Sequence, residues 1–237
     1  MSVAGWLAGL FRKPPALDAA AAARLAAWQA LPKVELDQAF DKARYVVVDV
    51  ESTGLDLNRD RLIAIGAVVV EAGKVNLRES FEVVLRQNKV SSKDNILIHG
   101  IGGEQQREGL PPVEALLAFL EFLGKTPLVA FHVTFDETMI RRALRDYLGL
   151  DFKHPWLDLA YVMPALQPEY ARRYRALDDW VGHFAIANYA RHSALADALA
   201  TAQLCLCALP IAESRRSPNY KNLQDLEKAQ RWVSWSG

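Results

Sequence analysis

The sequence predicts an α/β domain: a mixed central sheet, built from a three-strand antiparallel meander plus parallel strands, flanked by helices. Three observations predict it. Residues 45–85 read as three successive strands, with Ala72-Gly73 as a tight turn between the second and third. From residue 111 onward helical and strand patterns alternate, which calls for parallel members in the sheet. The chain has 237 residues, 51% of them apolar and 24% charged, which suits one globular domain with short appendages and excludes wholesale disorder.

Taken in order, MSVAGWLAGLFRKPP has its positive charges after a short apolar stretch, whereas a secretory signal carries them before it. No run reaches the ~18 consecutive apolar residues of a membrane span. The reading is therefore a cytoplasmic protein with no membrane partner, Trp6, Leu7, Leu10 and Phe11 being a weak candidate for an interfacial anchor. Beyond Pro14-Pro15, the alanine-rich ALDAAAAARLAAWQAL reads as a helix with Leu25, Trp28 and Leu31 on one face, ended by Pro32. Residues 1–43 are taken as an N-terminal helical appendage, 44–210 as the main domain and 211–237 as a polar C-terminal tail. Trp6, Trp28, Trp232 and Trp235 are candidate anchors for a protein partner.

Within the main domain, Tyr45 to Val50 is a run of β-branched and apolar residues, as in a buried central strand. Leu62 to Val70 and Lys74 to Leu85 complete the meander. Residues 86–110 read as loop, with HGIGG at 99–103. Pro111-Pro112 opens a helix that stops at Gly124. Leu128 to Phe131 is a short strand, and Thr134 with Glu137 reads as a capping box for the helix behind it. A strand over 152–157 and helical pieces near 158–166 and 176–185 follow. Ser193 is the expected cap of ALADALATAQLCLCALP, which Pro210 should end.

The 28 basic residues balance the 28 acidic ones. A bulk positive field therefore cannot hold a polyanion, and any phosphate binding must be local or carried by a metal. Cys205 and Cys207 are too close in sequence to close a useful loop, so a disulfide is not expected and a reducing compartment is favoured.

Acidic residues carry the chemistry. Asp49 and Glu51 end the first strand two residues apart, hence on one face. Carboxylates ~4 Å apart repel by ~4 kcal/mol at an effective dielectric of 20, so the pair calls for something positive between them, unless the strand simply ends there and both are solvated. Asp136 follows the fourth strand in the first turn of its helix, where the helix dipole alone would favour an acid. Asp197 stands in an almost wholly apolar helix with no lysine or arginine one turn away, so a metal is a candidate partner. His192 lies just outside that helix and projects either beside Asp197 or to the surface. Oxygen ligands of this kind suit magnesium or manganese rather than zinc.

The segments DVESTGLD, AFHVTFDETMI and HSALADA, in that order, resemble the three motifs of the DnaQ-like (DEDDh) 3′–5′ exonucleases, the family of the bacterial DNA polymerase III proofreading exonuclease. The resemblance runs from about residue 44 to 208, and HGIGGEQ at 99–105 is similar to a family loop. It implies a ribonuclease H-like fold and an exonuclease domain over 44–210. It implies that Asp49, Glu51, Asp136 and Asp197 hold two divalent cations, Mg2+ or Mn2+, with His192 as general base. It also implies a substrate, the 3′ end of a nucleic acid, DNA before RNA, released as nucleoside 5′-monophosphates. Ser52, Thr53, Gly54 and Leu55 would line the terminal nucleotide, with His99 and Ile101 completing that pocket. Two departures stand out: Val133 replaces the family's usual asparagine after His132, and Ser52 replaces a common threonine. Arg172, Arg173 and Arg175 form a local basic group suited either to a single-strand backbone or to solvent. An exoribonuclease acting on short RNA, and a catalytically silent module that binds nucleic acid or a polymerase through the termini, are the alternatives.

Overall fold

The computed structural model describes residues 16–188 and 190–235. The expectations for Trp6, Leu7, Leu10, Phe11, Pro14 and Pro15, and for the side chain of Trp235, lie outside the described residues. Five strands, β1 (Arg44–Ser52), β2 (Leu62–Glu71), β3 (Lys74–Val84), β4 (Leu128–Ala130) and β5 (Trp156–Asp158), form one sheet in the order β3-β2-β1-β4-β5. The first three are the antiparallel meander; β4 and β5 run parallel to β1. The β2–β3 turn has positive φ at both Ala72 (49°) and Gly73 (69°), the backbone twist that two-residue hairpins favour.

Side-chain alternation along β1 sorts the core. Val46, Val48 and Val50 enter one apolar cluster, shared with α1 (Ala19–Gln29), α4 (Pro112–Leu123) and α5 (Val133–Leu148). Tyr45 and Val47 enter the other, shared with α6 (Leu159–Leu166), α7 (Leu177–His183), α8 (Ala194–Ser214) and α9 (Tyr220–Trp235). The next residues on that second face are Asp49 and Glu51, so an apolar stripe turns acidic where β1 runs out under the start of α8.

Several local readings change in three dimensions. The described part of the segment taken as an appendage, from residue 16 on, is packed into the domain. Asp18 caps α1, Ala21, Leu25 and Trp28 are buried, and Trp28 Nε1 donates to the Gly124 carbonyl at 2.7 Å. Arg24 bridges Glu114 and Glu121 of α4, while Leu31 falls beyond the helix and is exposed. The loop region 86–110 contains two short helices, α2 (Lys93–His99) and α3 (Gly103–Glu108), each too brief to show a period in the sequence. The Thr134–Glu137 capping box does not form: α5 starts two residues earlier, behind His132, whose own φ of 66° is left-handed.

Helix α8 continues through Pro210 to Ser214, because buried Ala212 anchors the last turn and proline forfeits only one backbone bond. By length and composition α8 could cross a membrane, yet 56% of its most apolar window is buried inside the domain. The polar tail is largely helix α9. Its Tyr220, Leu223 and Glu227 share the face that meets the domain, and Tyr220 Oη donates to the Leu128 carbonyl at 3.0 Å.

Candidate active site

Asp49 and Glu51 reach a common cleft from β1. Asp197 reaches it from the first turn of α8, and one oxygen from each of the three carboxylates lies within 4.8 Å of the others. Gly66 of β2 makes that approach feasible. It stands opposite Asp49 in the register, and a Cβ at position 66 would lie 2.2 Å from the Ala194 and Leu195 backbone at the start of α8. Asp136, in the first turn of α5, is buried beside the triad rather than within it. It arrives along the edge of β1 that β4 leaves free beyond Val47, where the Val50 backbone N–H supports it.

The electrostatics follow from that crowding. Burial, and then Asp136, Asp197 and Glu51, push the Asp49 carboxyl well above the ordinary carboxylate range, with Arg191 pulling the other way. Glu51 is pushed up to about 8 by burial and by Asp197, again against Arg191. Burial also lifts Asp136, opposed by backbone hydrogen bonds and reinforced by Asp158 and Glu51. Clustered carboxylate oxygens drawn partly out of water are the donor set that a hard divalent cation fits, since a cation would let them all stay ionised.

Asp197 also has protein partners that the sequence reading missed. Arg191 Nη1 and Asn188 Nδ2 each donate to Oδ1 at 2.6 Å, and the His192 backbone N–H donates to Oδ2 at 2.9 Å. Arg191 is also bridged to Asp178 at 2.8 Å. Counting one turn along the helix overlooked a loop that folds back over the helix's own N-terminus. That fold requires the left-handed φ of 61° at His192, whose ring is exposed and lines the cleft.

The remaining anticipated residues divide. Ser52 is buried on the cleft wall and donates to the Gly54 carbonyl at 2.6 Å. Gly54 and Leu55 also line the cleft, Leu55 at 86% exposure. Thr53 turns inward to Asp60 at 2.7 Å, and it is this Asp60 side chain that crowds any Cβ at Gly54. His99 and Ile101 are not among the lining residues. The His99 ring is buried, accepting from the Ile101 N–H at 2.9 Å and facing Asn95 Oδ1 at 2.9 Å, so it orders the loop. Asn95 and Ile98, on the same helix, take the wall instead, opposite Phe131, His132 and Phe135. Val133, at the family's asparagine position, is buried in the core, and its N–H is bonded to Asp158 at 3.1 Å.

Asp158 is an acid that sequence reasoning passed over. Its carboxylate accepts from the N–H groups of His132, Val133 and Ala160 and pairs with Arg231 at 2.9 Å, fixing the strained turn ahead of Asp136.

Comparison with known proteins agrees with this geometry. The exonuclease family model matches residues 46–205. A PolC-type DNA polymerase III from Thermotoga petrophila is 31% identical over 170 residues, which is 72% of this chain and 12% of that protein. The chain thus spans about an eighth of the length of that curated relative. Among solved structures, Escherichia coli exonuclease I in complex with a dT13 oligonucleotide superposes with a TM-score of 0.61 at 18% identity, over 73% of this chain and 42% of that one. Exonuclease X in complex with 5′ overhanging duplex DNA gives 0.59 at 17% identity, over 77% of this chain and 99% of the other. The likeness establishes the ribonuclease H-like fold.

Proposed function

The chain belongs to the exonuclease family, DnaQ-like in its motifs, and on that premise we propose that it is a divalent-metal-dependent 3′–5′ exonuclease acting on single-stranded DNA ends to release nucleoside 5′-monophosphates. The observation that carries the reading is the convergence of Asp49, Glu51 and Asp197 within 4.8 Å in a cleft that also presents the exposed ring of His192. Asp49, Glu51 and Asp197 would hold one Mg2+ or Mn2+ ion, and Asp49 with Asp136 a second. Such ions, when bound, activate water and offset charge on the scissile phosphate and the leaving 3′-oxygen. The chain's own residues do the rest. His192 takes a proton from the attacking water, its ring held over the cleft by the backbone bond to Asp197. Leu55, Ile98 and Phe135 give the terminal base an apolar wall, and Ser52 stiffens the loop that presents Leu55.

DNA is favoured over RNA because two structural neighbours are described with DNA bound. The polymerase relatives suggest a proofreading context, with the chain termini as the surface for a polymerase partner. Both cysteines are free thiols, which suits the reducing cytoplasm. The test is manganese-dependent release of a 3′-terminal labelled nucleotide from a single-stranded oligonucleotide. Chelator and Asp197→Asn should each abolish release, and full activity in chelator would overturn the reading.

A further inference from the structure

We infer that the segment from Tyr170 to Arg175 is a second contact surface, a strip that carries the single strand leading up to the terminal nucleotide. The inference deepens the exonuclease reading and rests on it. The segment runs directly into the cleft, since Ala176 and Leu177, the next residues, form part of the cleft wall. Arg172, Arg173 and Arg175 are all exposed, and among the described residues none has a carboxylate within ion-pair distance. Of the nearby acids, exposed Glu169 precedes the segment and Asp179 also feels the charge of Arg173, but both Asp178 and Asp179 have firm partners of their own. Asp178 pairs with Arg191, and Asp179 Oδ2 accepts the N–H groups of Arg175 and Ala176 at 2.8 Å each, which fixes the turn onto the wall.

Rings lie between the charges. Tyr170 and Tyr174 stack with centroids 5.0 Å apart and planes 4° from parallel, backed edge-on by Trp180 and flanked by His183. The Arg173 guanidinium stands 5.5 Å from the Tyr174 ring centroid. Both tyrosines are half-buried, so the stack is fixed in place while keeping some surface open. Guanidinium groups alternating with rigid rings are what a single strand needs, cations for its phosphates and flat faces for its bases. On a chain of zero net charge the strip also supplies the local field that long-range attraction cannot.

The test compares the 237-residue chain with its triple variant Arg172→Gln, Arg173→Gln, Arg175→Gln in three assays. These are manganese-dependent digestion of a 12-nucleotide thymidine oligomer, hydrolysis of the nitrophenyl ester of thymidine 5′-monophosphate, and oligomer binding in chelator by anisotropy. The ester reaches only the cleft and should be cleaved equally by both proteins. For the oligomer, the variant's KM should rise about tenfold, and the slope of log kcat/KM against log salt should flatten by about 2, the value for three lost phosphate contacts. The corresponding triple lysine variant should restore the slope. Equal oligomer KM and salt slope with ester cleavage intact would overturn the strip alone. Absence of both cleavage reactions in the wild-type protein would overturn the exonuclease reading, and the strip would then stand or fall on whether the glutamine variant loses oligomer affinity in chelator.

Discussion

Two groups of buried and half-buried acids sit at the same end of the sheet and are held in opposite ways. At the end of β5, Asp158 is 1% exposed, yet its charge meets three backbone N–H groups and Arg231. Glu227 beside it accepts the Asp158 N–H at 3.0 Å and pairs with the same arginine. At the end of β1, Asp49 faces Asp136, Asp197 and Glu51, and Arg191 is the cation that opposes them. Burial lifts the proton affinity of Asp158 and Asp49 alike, but backbone hydrogen bonds and Arg231 pull Asp158 back down, whereas other acids drive Asp49 further up. The comparison teaches that a buried acid is not in itself a mark of function. The mark is an acid whose surroundings leave its charge unmatched, because the folded chain retains that cost only where something from outside removes it.

The largest test of this contrast is Asp49→Asn. Nucleotide release should fall by about 10⁴-fold, the weight of several kcal/mol of lost transition-state stabilisation. The melting temperature in chelator should hold or rise, since one repelling charge has gone. A drop in stability instead would put Asp49 in the same class as Asp158. His192→Ala sharpens the picture by separating holding from proton transfer: turnover should drop ~10²–10⁴-fold while manganese affinity measured by calorimetry is kept. An unchanged rate would assign the base elsewhere.

Asp158→Ala is the mirror experiment. Orphaning the amides of His132, Val133 and Ala160 should cost about 3 kcal/mol in urea unfolding, with manganese affinity reduced far less than by Asp49→Asn. The last test reads pH dependence. Glu51 rises from 4.5 to about 8 in the folded, ion-free protein, so the native state keeps a proton that the unfolded chain releases in that interval. The stability it contributes is full below about pH 4.5 and declines as pH climbs toward 8. Melts in chelator across that window should therefore slope downward more steeply for the wild-type chain than for Glu51→Gln. Equal slopes would show that Glu51 carries no such shift.

Much of this was legible in the sequence where the physics is local. Strand alternation alone puts Asp49 and Glu51 on one face, and an acid in an otherwise apolar helix marks Asp197. The meander, its tight turn and the alternating elements behind it could be read with end-point errors of a few residues. What escaped was governed by contacts distant in sequence. The packing of α1 against α4 depends on Trp28 meeting Gly124, 96 residues away. Helix α9 looked like polar tail because its value to the fold lies in Tyr220, Glu227 and Arg231 reaching β4 and β5. Arg191 was invisible for the opposite reason: it is near Asp197 in sequence but outside its helix, and only the left-handed turn at His192 brings it back.

Gly66 carries a consequence beyond its own strand. The hydrogen that stands where a methyl would be acts as the spacer between β2 and the first turn of α8, and so fixes the gauge between acids borne on two separate elements. Thickening that joint by one carbon would shim the helix outward and leave every acid in the chain, yet splay Asp197 from its companions. The spacing of the three acids is thus set by a residue that carries no charge and stands outside the cluster.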